Sequence, residues 1–170
     1  MSIQKKNMKY EDIVVLVIYM PNTEALVFEE NPNKTIEHYH NTMIDIEGDF
    51  RKKNGFMDMI ICNSCVCGIF ENIEQASGNT VWKAADEAKE RLECFHDFFG
   101  ERGYGTLLYG IGIAAGVVLT LSAESAMTGY PRDIRIGPVF DRAYSMAKKA
   151  CIDSRRRIMA ADSDLQHIFS

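Results

Sequence analysis

The chain has 170 residues, of which 46% are hydrophobic and 25% charged, and this is the composition of a globular domain rather than of a disordered or fibrous chain. Its formal net charge of −5 argues against a nucleic-acid or membrane-surface partner, because both need a positive field. We therefore predict one domain spanning residues 1–170 in the cytoplasm, with no nucleic acid and no membrane as partner.

The cysteines are Cys62, Cys65, Cys67, Cys94 and Cys151. Their number is odd and three of them lie within six residues, which is not the pattern of a disulfide framework. We interpret them as reduced thiols. The spacing between the first two resembles a metal or redox motif, but no second pair and no nearby His accompanies it. We therefore predict small buried side chains here and no metal site.

The first half of the chain predicts a strand, a helix and a hairpin. Ile13 to Ile18 is apolar and rich in β-branched residues, as in a strand buried on both faces. An apolar stripe with steps of three and four predicts a helix over 34–53. Phe56 to Ile61 and Cys65 to Phe70 then predict a β-hairpin that turns at Asn63-Ser64.

The second half begins with the clearest helical pattern, over 79–102. The uncharged stretch 107–123 is long enough for a membrane span, but its glycines favour two short strands, 108–114 and 117–121, joined at Ala115-Gly116. The remaining predictions are a helix over 138–151, a short strand at 157–160 and a helical turn at 162–169, with 133–136 as an extension of the sheet.

The predicted order of elements is β-α-β-β-α-β-β-α-β. A strand, a crossover helix, a hairpin and a second crossover helix make up the ferredoxin-like arrangement. The fold class we predict is therefore α/β (α+β), with a mixed, mostly antiparallel sheet and flanking helices.

Several segments of the second half resemble class III nucleotidyl cyclases. Tyr109 to Val118 is similar to the family's Gly-Ile-Gly-x-x-x-Gly-x-Val segment, and small residues (Ala84, Ala85, Ala88) line the preceding helix as they do in the family. Arg132-Asp133-Ile134 resembles its Tyr-Asp-Val strand. Gly137 to Met146 is similar to its Gly-x-x-Val-Asn-x-Ala-x-Arg-Leu helix. The order of elements matches from about Glu11 to Phe169.

The resemblance implies that the catalytic positions are degenerate. Class III cyclases hold two metal ions with one Asp at the end of the opening strand and another at the hairpin turn. Those positions here are Tyr19 and Ser64, which cannot make a two-metal site. The family's transition-state Asn and Arg fall on Asp141 and Ser145, so the cation that stabilises the phosphate is lost as well. No cofactor is expected under this interpretation.

The resemblance also implies candidate ligand-binding residues. Asp133 falls on the carboxylate that reads a purine, and the partner Lys of that carboxylate falls near Met59, which cannot hydrogen-bond a base. Arg155, Arg156 and Arg157 lie near the family's phosphate-binding Lys. A solvated strand edge is the alternative interpretation of these arginines.

We therefore predict a catalytically inactive cyclase-like module that acts in signalling by dimerisation, ligand sensing or partner regulation. The expected assembly is a homodimer or a pair with another cyclase-like domain. The alternative is an active cyclase or related palm-fold nucleotidyltransferase that uses displaced carboxylates, Asp45, Asp49 and Asp58, with Mg or Mn. A third hypothesis is a sensor whose cleft takes an uncharged or aromatic small molecule.

Overall fold

In the computed structural model, a six-stranded sheet lies between two layers of helices. The described residues are 8–29, 32–72, 76–124, 131–153 and 155–161. The strands are β1 (Met8–Tyr19), β2 (Phe56–Cys62), β3 (Cys65–Glu71), β4 (Gly110–Glu124), β5 (Pro131–Ile136) and β6 (Ile158–Ala160). The helices are α1 (Thr23–Glu29), α2 (Pro32–Arg51), α3 (Ala76–Glu101) and α4 (Val139–Ile152).

The sheet has the order β2-β3-β1-β4-β5, and all four of these pairings are antiparallel. β6 is the exception, since it runs parallel to β4 alongside Ile111 to Ile113. The central strand β1 carries the β-branched run, and Ile13 to Ile18 are all at most 5% exposed. This architecture confirms the predicted mixed, mostly antiparallel sheet with flanking helices.

Alternation along β1 divides the interior into two cores. Val14, Leu16 and Ile18 point to one face of the sheet, where α2 and α3 pack. Ile13, Val15 and Val17 point to the other face, where α4 packs with its small residues. A strand that is apolar on both faces is what a sheet covered by helices on both sides requires.

The predicted helices and the β2–β3 hairpin are present with boundaries shifted by one to three residues. The chain after β1 continues into the short helix α1, which the sequence did not predict. The hydroxyl of Thr23 donates to the carbonyl of Met20 at 3.0 Å, and Leu26 and Val27 are buried. The helical turn predicted at 162–169 lies outside the described residues.

The prediction of two strands joined at Ala115-Gly116 was wrong, because β4 runs unbroken through both residues. They pair with Val14 and Ile13 in the regular β1–β4 ladder. Gly116 is small for another reason: a Cβ there would lie 2.7 Å from the guanidinium of Arg142 on α4. The glycine makes room for a helix side chain and does not mark a turn.

Among the described residues, no helix combines the length and apolarity needed to cross a membrane. The uncharged stretch that raised this question belongs mainly to β4.

Candidate functional site

The end of β1 and the β2–β3 turn lie side by side. Tyr19 is the register partner of Cys65, and the backbone N–H of Met20 donates to the carbonyl of Ser64 at 2.7 Å. Asn63 in the turn has a φ of 51°, a conformation that Asn tolerates better than most residues. The structure thus brings Tyr19 and Ser64 together at one corner of the sheet.

Helix α4 adds two further side chains to this corner. The rings of Tyr19 and Tyr144 meet edge to face at a centroid distance of 5.4 Å. The ammonium of Lys148 lies 4.7 Å from the Tyr144 ring centre and 5.9 Å from that of Tyr19. We call Tyr19, Ser64, Tyr144 and Lys148 the corner site.

The corner site does not fit a divalent metal ion. Mg²⁺ and Mn²⁺ prefer carboxylate and carbonyl oxygens, whereas the side chains here are two phenols, a hydroxyl and an ammonium. In the parts of the chain that the structure describes, no group of three or more His, Cys, Asp or Glu residues is arranged to hold a metal. The cation of Lys148 would itself repel a second positive charge.

Asp141 and Ser145, the other two positions that the family resemblance assigned to catalysis, face away from the sheet. Both are exposed on α4. The buried side of that helix is instead made of small residues, Val139, Ala143, Ala147 and Ala150. Within one chain, Asp141 and Ser145 therefore do not belong to the corner site.

Asp133 belongs to an ionic cluster on the α4 side of the sheet. It accepts hydrogen bonds from the Ser122 hydroxyl at 2.6 Å and from Arg135 Nη2 at 2.9 Å. The Arg135 side chain is only 7% exposed, and it also lies 3.6 Å from Glu11 and 3.7 Å from Asp58. We call Glu11, Asp58, Asp133 and Arg135 the cross-sheet cluster, because they come from β1, β2 and β5.

The surroundings of Glu11 in the cross-sheet cluster favour its ionised form. Burial of Glu11 by itself raises its pKa, but hydrogen bonds from Lys9 and Thr120 outweigh that effect and hold the pKa below its usual value. Arg135 Nε is buried and has no hydrogen-bond acceptor within the described structure. The charge of Arg135 is balanced by the 2.9 Å hydrogen bond from its Nη2 to Asp133 and by the longer ion pairs with Glu11 and Asp58.

Met59 does not join Asp133. Its side chain packs on the core beneath α2 and α3, whereas Asp133 lies on the opposite face of the sheet. The β2 residue that does reach the cluster is Asp58, next to a register shift in the strand. Arg135 was not identified from the sequence. The available signal was its position two residues after Asp133, because residues two apart on a strand point to the same face.

The three carboxylates of the alternative metal hypothesis do not come together at one site. Asp49 is buried, with Oδ1 2.9 Å from Lys52 Nζ and Oδ2 3.0 Å from Arg91 Nε. Asp45 lies 3.7 Å from the same arginine. Burial alone raises the pKa of Asp49, but the hydrogen bonds from Lys52 and Arg91 bring it below its usual value. Asp58 lies across the sheet in the cross-sheet cluster, so the structure does not bring it near the other two.

The arginine run near the end of the described chain divides into two roles. Arg157 Nη1 donates to the carbonyls of Tyr109 at 3.1 Å and Cys151 at 3.3 Å, so it ties β4 to the end of α4. Arg155 and Arg156 are exposed. They line a groove of about 780 Å³, the arginine groove, together with Trp82, Asp86, Lys89, Met146 and residues 157–160.

Solved structures of class III cyclases are similar to this chain. One is the guanylyl cyclase Cya2, with 14% identity, a TM-score of 0.72 and coverage of 96% of this chain and 81% of the other. Another is the adenylyl cyclase CyaB from P. aeruginosa, with 12% identity, a TM-score of 0.72 and coverage of 95% and 82%.

A third similar structure is a class III adenylyl cyclase-like ATP-binding protein from Pseudomonas aeruginosa. It has 15% identity and a TM-score of 0.67, and the alignment covers 99% of this chain and 37% of the other. No protein-family model and no curated protein matches the sequence. At these identities the similarity establishes the fold, which is that of the class III nucleotidyl cyclases.

Proposed function

We propose that this protein is a catalytically inactive cyclase-fold module that acts by pairing with a second copy of itself. The observation that supports inactivity is the corner site. Tyr19 occupies the position at the end of β1 and Ser64 the position in the hairpin turn. The ammonium of Lys148, a cation of the protein itself, lies beside them.

Cyclisation of a nucleoside triphosphate needs metal ions to activate the ribose hydroxyl and to neutralise the phosphates. The corner site supplies no carboxylate for a first metal and none for a second. Losing one electrostatic stabiliser of a transition state typically costs on the order of a hundredfold in rate. The combined loss places turnover below detection.

The direct test is incubation of the full chain with ATP, GTP, CTP and UTP, each with Mg²⁺ and with Mn²⁺, followed by mass spectrometry. We expect no cyclic nucleotide. Product that disappears in Asp45→Asn, Asp49→Asn or Asp58→Asn would establish the displaced-carboxylate alternative. Product unaffected by these changes would contradict the placement of the site at Tyr19 and Ser64.

Pairing is supported by an apolar region on the α2–α3 side of the sheet that none of the described elements covers. We call it the open apolar face: Met8, Tyr10, Val117, Ile134 and Ile136, each at least 51% exposed. Strand register arranges it in rows, because Leu119 pairs with both Tyr10 and Ile136, and Leu121 pairs with both Met8 and Ile134. Monomeric proteins rarely leave so continuous an apolar region in water.

A second copy is the occupant that suits this face. In a two-fold dimer each copy offers the same surface, so apolar rows meet apolar rows. Sedimentation equilibrium of the full chain at micromolar concentration should give the dimer mass. A monomer mass at high micromolar concentration would contradict pairing and would leave the absence of cyclase activity untouched.

A second candidate function, ligand sensing, is favoured by the arginine groove. Neither Arg155 nor Arg156 forms an ion pair within the described residues, and the partly buried indole of Trp82 lines the same groove. Guanidinium groups bind phosphate, and an aromatic face can stack on a base. The ATP-binding protein among the similar structures makes ATP the first ligand to test.

The test is a calorimetric titration of the full chain with ATP. An affinity for ATP that is at least about tenfold weaker in the double variant Arg155→Ala, Arg156→Ala would support the sensor. A tenfold change corresponds to about 1.4 kcal/mol of binding free energy. The control is Lys149→Ala, an exposed cation on α4 outside the groove. Equal affinities in both variants, or no binding to the wild type, would reject the groove as an ATP site.

A further inference from the structure

Two cysteines face each other across the β2–β3 turn. Cys62 ends β2, Cys65 begins β3, and they are register partners with only Asn63 and Ser64 between them. Directly opposed residues of antiparallel strands have Cα atoms roughly 4.5–5.5 Å apart. A disulfide needs a separation of roughly 4.4–6.8 Å. The hairpin backbone therefore holds these two residues at a Cα separation that suits a disulfide before any reaction.

The two thiols differ in environment in a way that suits sequential attack. Cys62 is exposed, so it is open to a dissolved oxidant. Burial raises the pKa of the Cys65 thiol, with the Cys62 thiol adding to this and Ser64 and Lys148 opposing it. Cys65 is accordingly a poor first nucleophile. It can still act second, because a neighbouring thiol reacts at a high effective concentration.

The nearest competing thiol is excluded by its position. Cys67 pairs with Ile60 rather than with a cysteine. Burial raises the pKa of Cys67 to about 12, so almost no thiolate forms at neutral pH. Cys65 and Cys67 are two positions apart on one extended strand, roughly 6.6–6.8 Å in strand rise, near the upper limit for a disulfide.

We propose that Cys62 and Cys65 are a redox-sensitive thiol pair that a low-molecular-weight disulfide, such as oxidised glutathione, converts to a disulfide across the turn. The Cys62 thiolate attacks one sulfur of the oxidant, breaks its S–S bond and releases one glutathione thiol. Cys65 loses its proton and attacks the Cys62 sulfur, which releases the second glutathione. Two electrons and two protons pass from the protein to the oxidant.

The bridge acts as a switch rather than as a structural staple. A disulfide stabilises a protein mainly by closing a loop in the unfolded chain, and this loop is among the shortest possible. An exposed bridge in a tight turn is also readily reduced. Its place matters because the turn carries Ser64, whose carbonyl is bonded to the end of β1 at the corner site.

The experiment counts free thiols in the reduced full chain after exposure to oxidised glutathione. Maleimide labelling followed by tandem mass spectrometry should show a fall from five free thiols to three. The missing pair should map to Cys62 and Cys65, without a glutathione adduct, and dithiothreitol should restore it. The matched control Cys94→Ser removes an exposed thiol on α3 and should still lose two.

Cys62→Ser and Cys65→Ser each should abolish the two-thiol loss. As an independent probe of proximity, phenylarsine oxide should protect two thiols from maleimide in the wild type and neither in these variants. A stable Cys62–glutathione adduct, a bridge between two chains on a non-reducing gel, or an unchanged two-thiol loss in Cys65→Ser would overturn the proposal. None of these outcomes bears on cyclase activity or pairing through the open apolar face.

Discussion

Arg135 is the residue whose surroundings depend most on the fold, since one guanidinium faces carboxylates from three strands. It is 7% exposed in its side chain, and Glu11 is 13% exposed. Removing one member of a buried ion pair is costly because the remaining charge loses its partner without regaining water.

We expect Arg135→Ala to lower the free energy of unfolding by about 3 kcal/mol, measured by urea titration. The control is Arg51→Ala, which removes an exposed i,i+4 pair with Glu47 and should cost about 0.5 kcal/mol or less. Equal effects of the two changes would show that the cross-sheet cluster adds no more than a surface ion pair.

The buried carboxylates give stability a defined dependence on pH. The pKa values of Glu11 and Asp49 are both lowered in the folded protein. Their contribution is therefore complete above the unfolded values, roughly 4.3 and 3.9, and is lost as pH falls through the lower folded values.

Between pH 7 and pH 5 we expect these two groups to change the urea concentration at the unfolding midpoint very little. Below about pH 4.5 we expect that urea concentration to decrease. The variants Glu11→Gln and Asp49→Asn should each flatten that fall, while Asp141→Asn, at an exposed position on α4, should not. A slope unchanged in all three would mean that other carboxylates dominate acid unfolding.

At the scale of elements, the packing of α4 on β4 explains why the Gly-Ile-Gly segment is needed. A Cβ on Gly110 would lie 2.2 Å from backbone atoms of Ala147 and Cys151. A Cβ on Gly112 would lie 2.0 Å from the Ala143 carbonyl oxygen. The helix backbone rests directly on the strand, so these glycines serve packing, whatever role they have in related proteins.

We expect Gly112→Ala to destabilise the protein by about 3 kcal/mol or more, because the clash is with helix backbone that cannot rotate away. The matched control is Gly48→Ala in α2, where a Cβ meets nothing within 4 Å. This substitution should stabilise the helix by about 1 kcal/mol, because Ala has a higher helix propensity than Gly. Thermal unfolding of both variants measures the contrast. A mild effect at Gly112 would show that α4 can shift outward freely.

At the scale of the whole molecule, the proposed pairing depends on the open apolar face. We expect Ile136→Asp to weaken self-association at least about tenfold, since it places two like charges at a two-fold contact. The control is Phe28→Asp on α1, an equally exposed apolar residue outside the face. Sedimentation velocity over a concentration series compares the self-association of the two variants. An equal loss of self-association in both would point to non-specific association.

The sequence by itself determined most of the elements and their order, but neither the short helix α1 nor the unbroken course of β4. Local patterns report secondary structure directly. Those used here are a six-residue apolar run rich in β-branched residues, apolar stripes of helical period and a polar pair between two apolar runs. Together with the segments from Tyr109 to Met146 they were enough to predict the class III cyclase fold, and the position of Tyr19 next to Ser64 followed from the same register.

The tertiary structure decided what local patterns cannot carry. Gly116 was misread as a turn because the side chain that needs its space, Arg142, belongs to a helix far along the chain. Met59 and Asp58 differ by one residue yet point to opposite faces, and only the register shift in β2 fixes which one meets Arg135. Sheet twist and strand register are set by the packing of both cores at once, and no short stretch of sequence contains them.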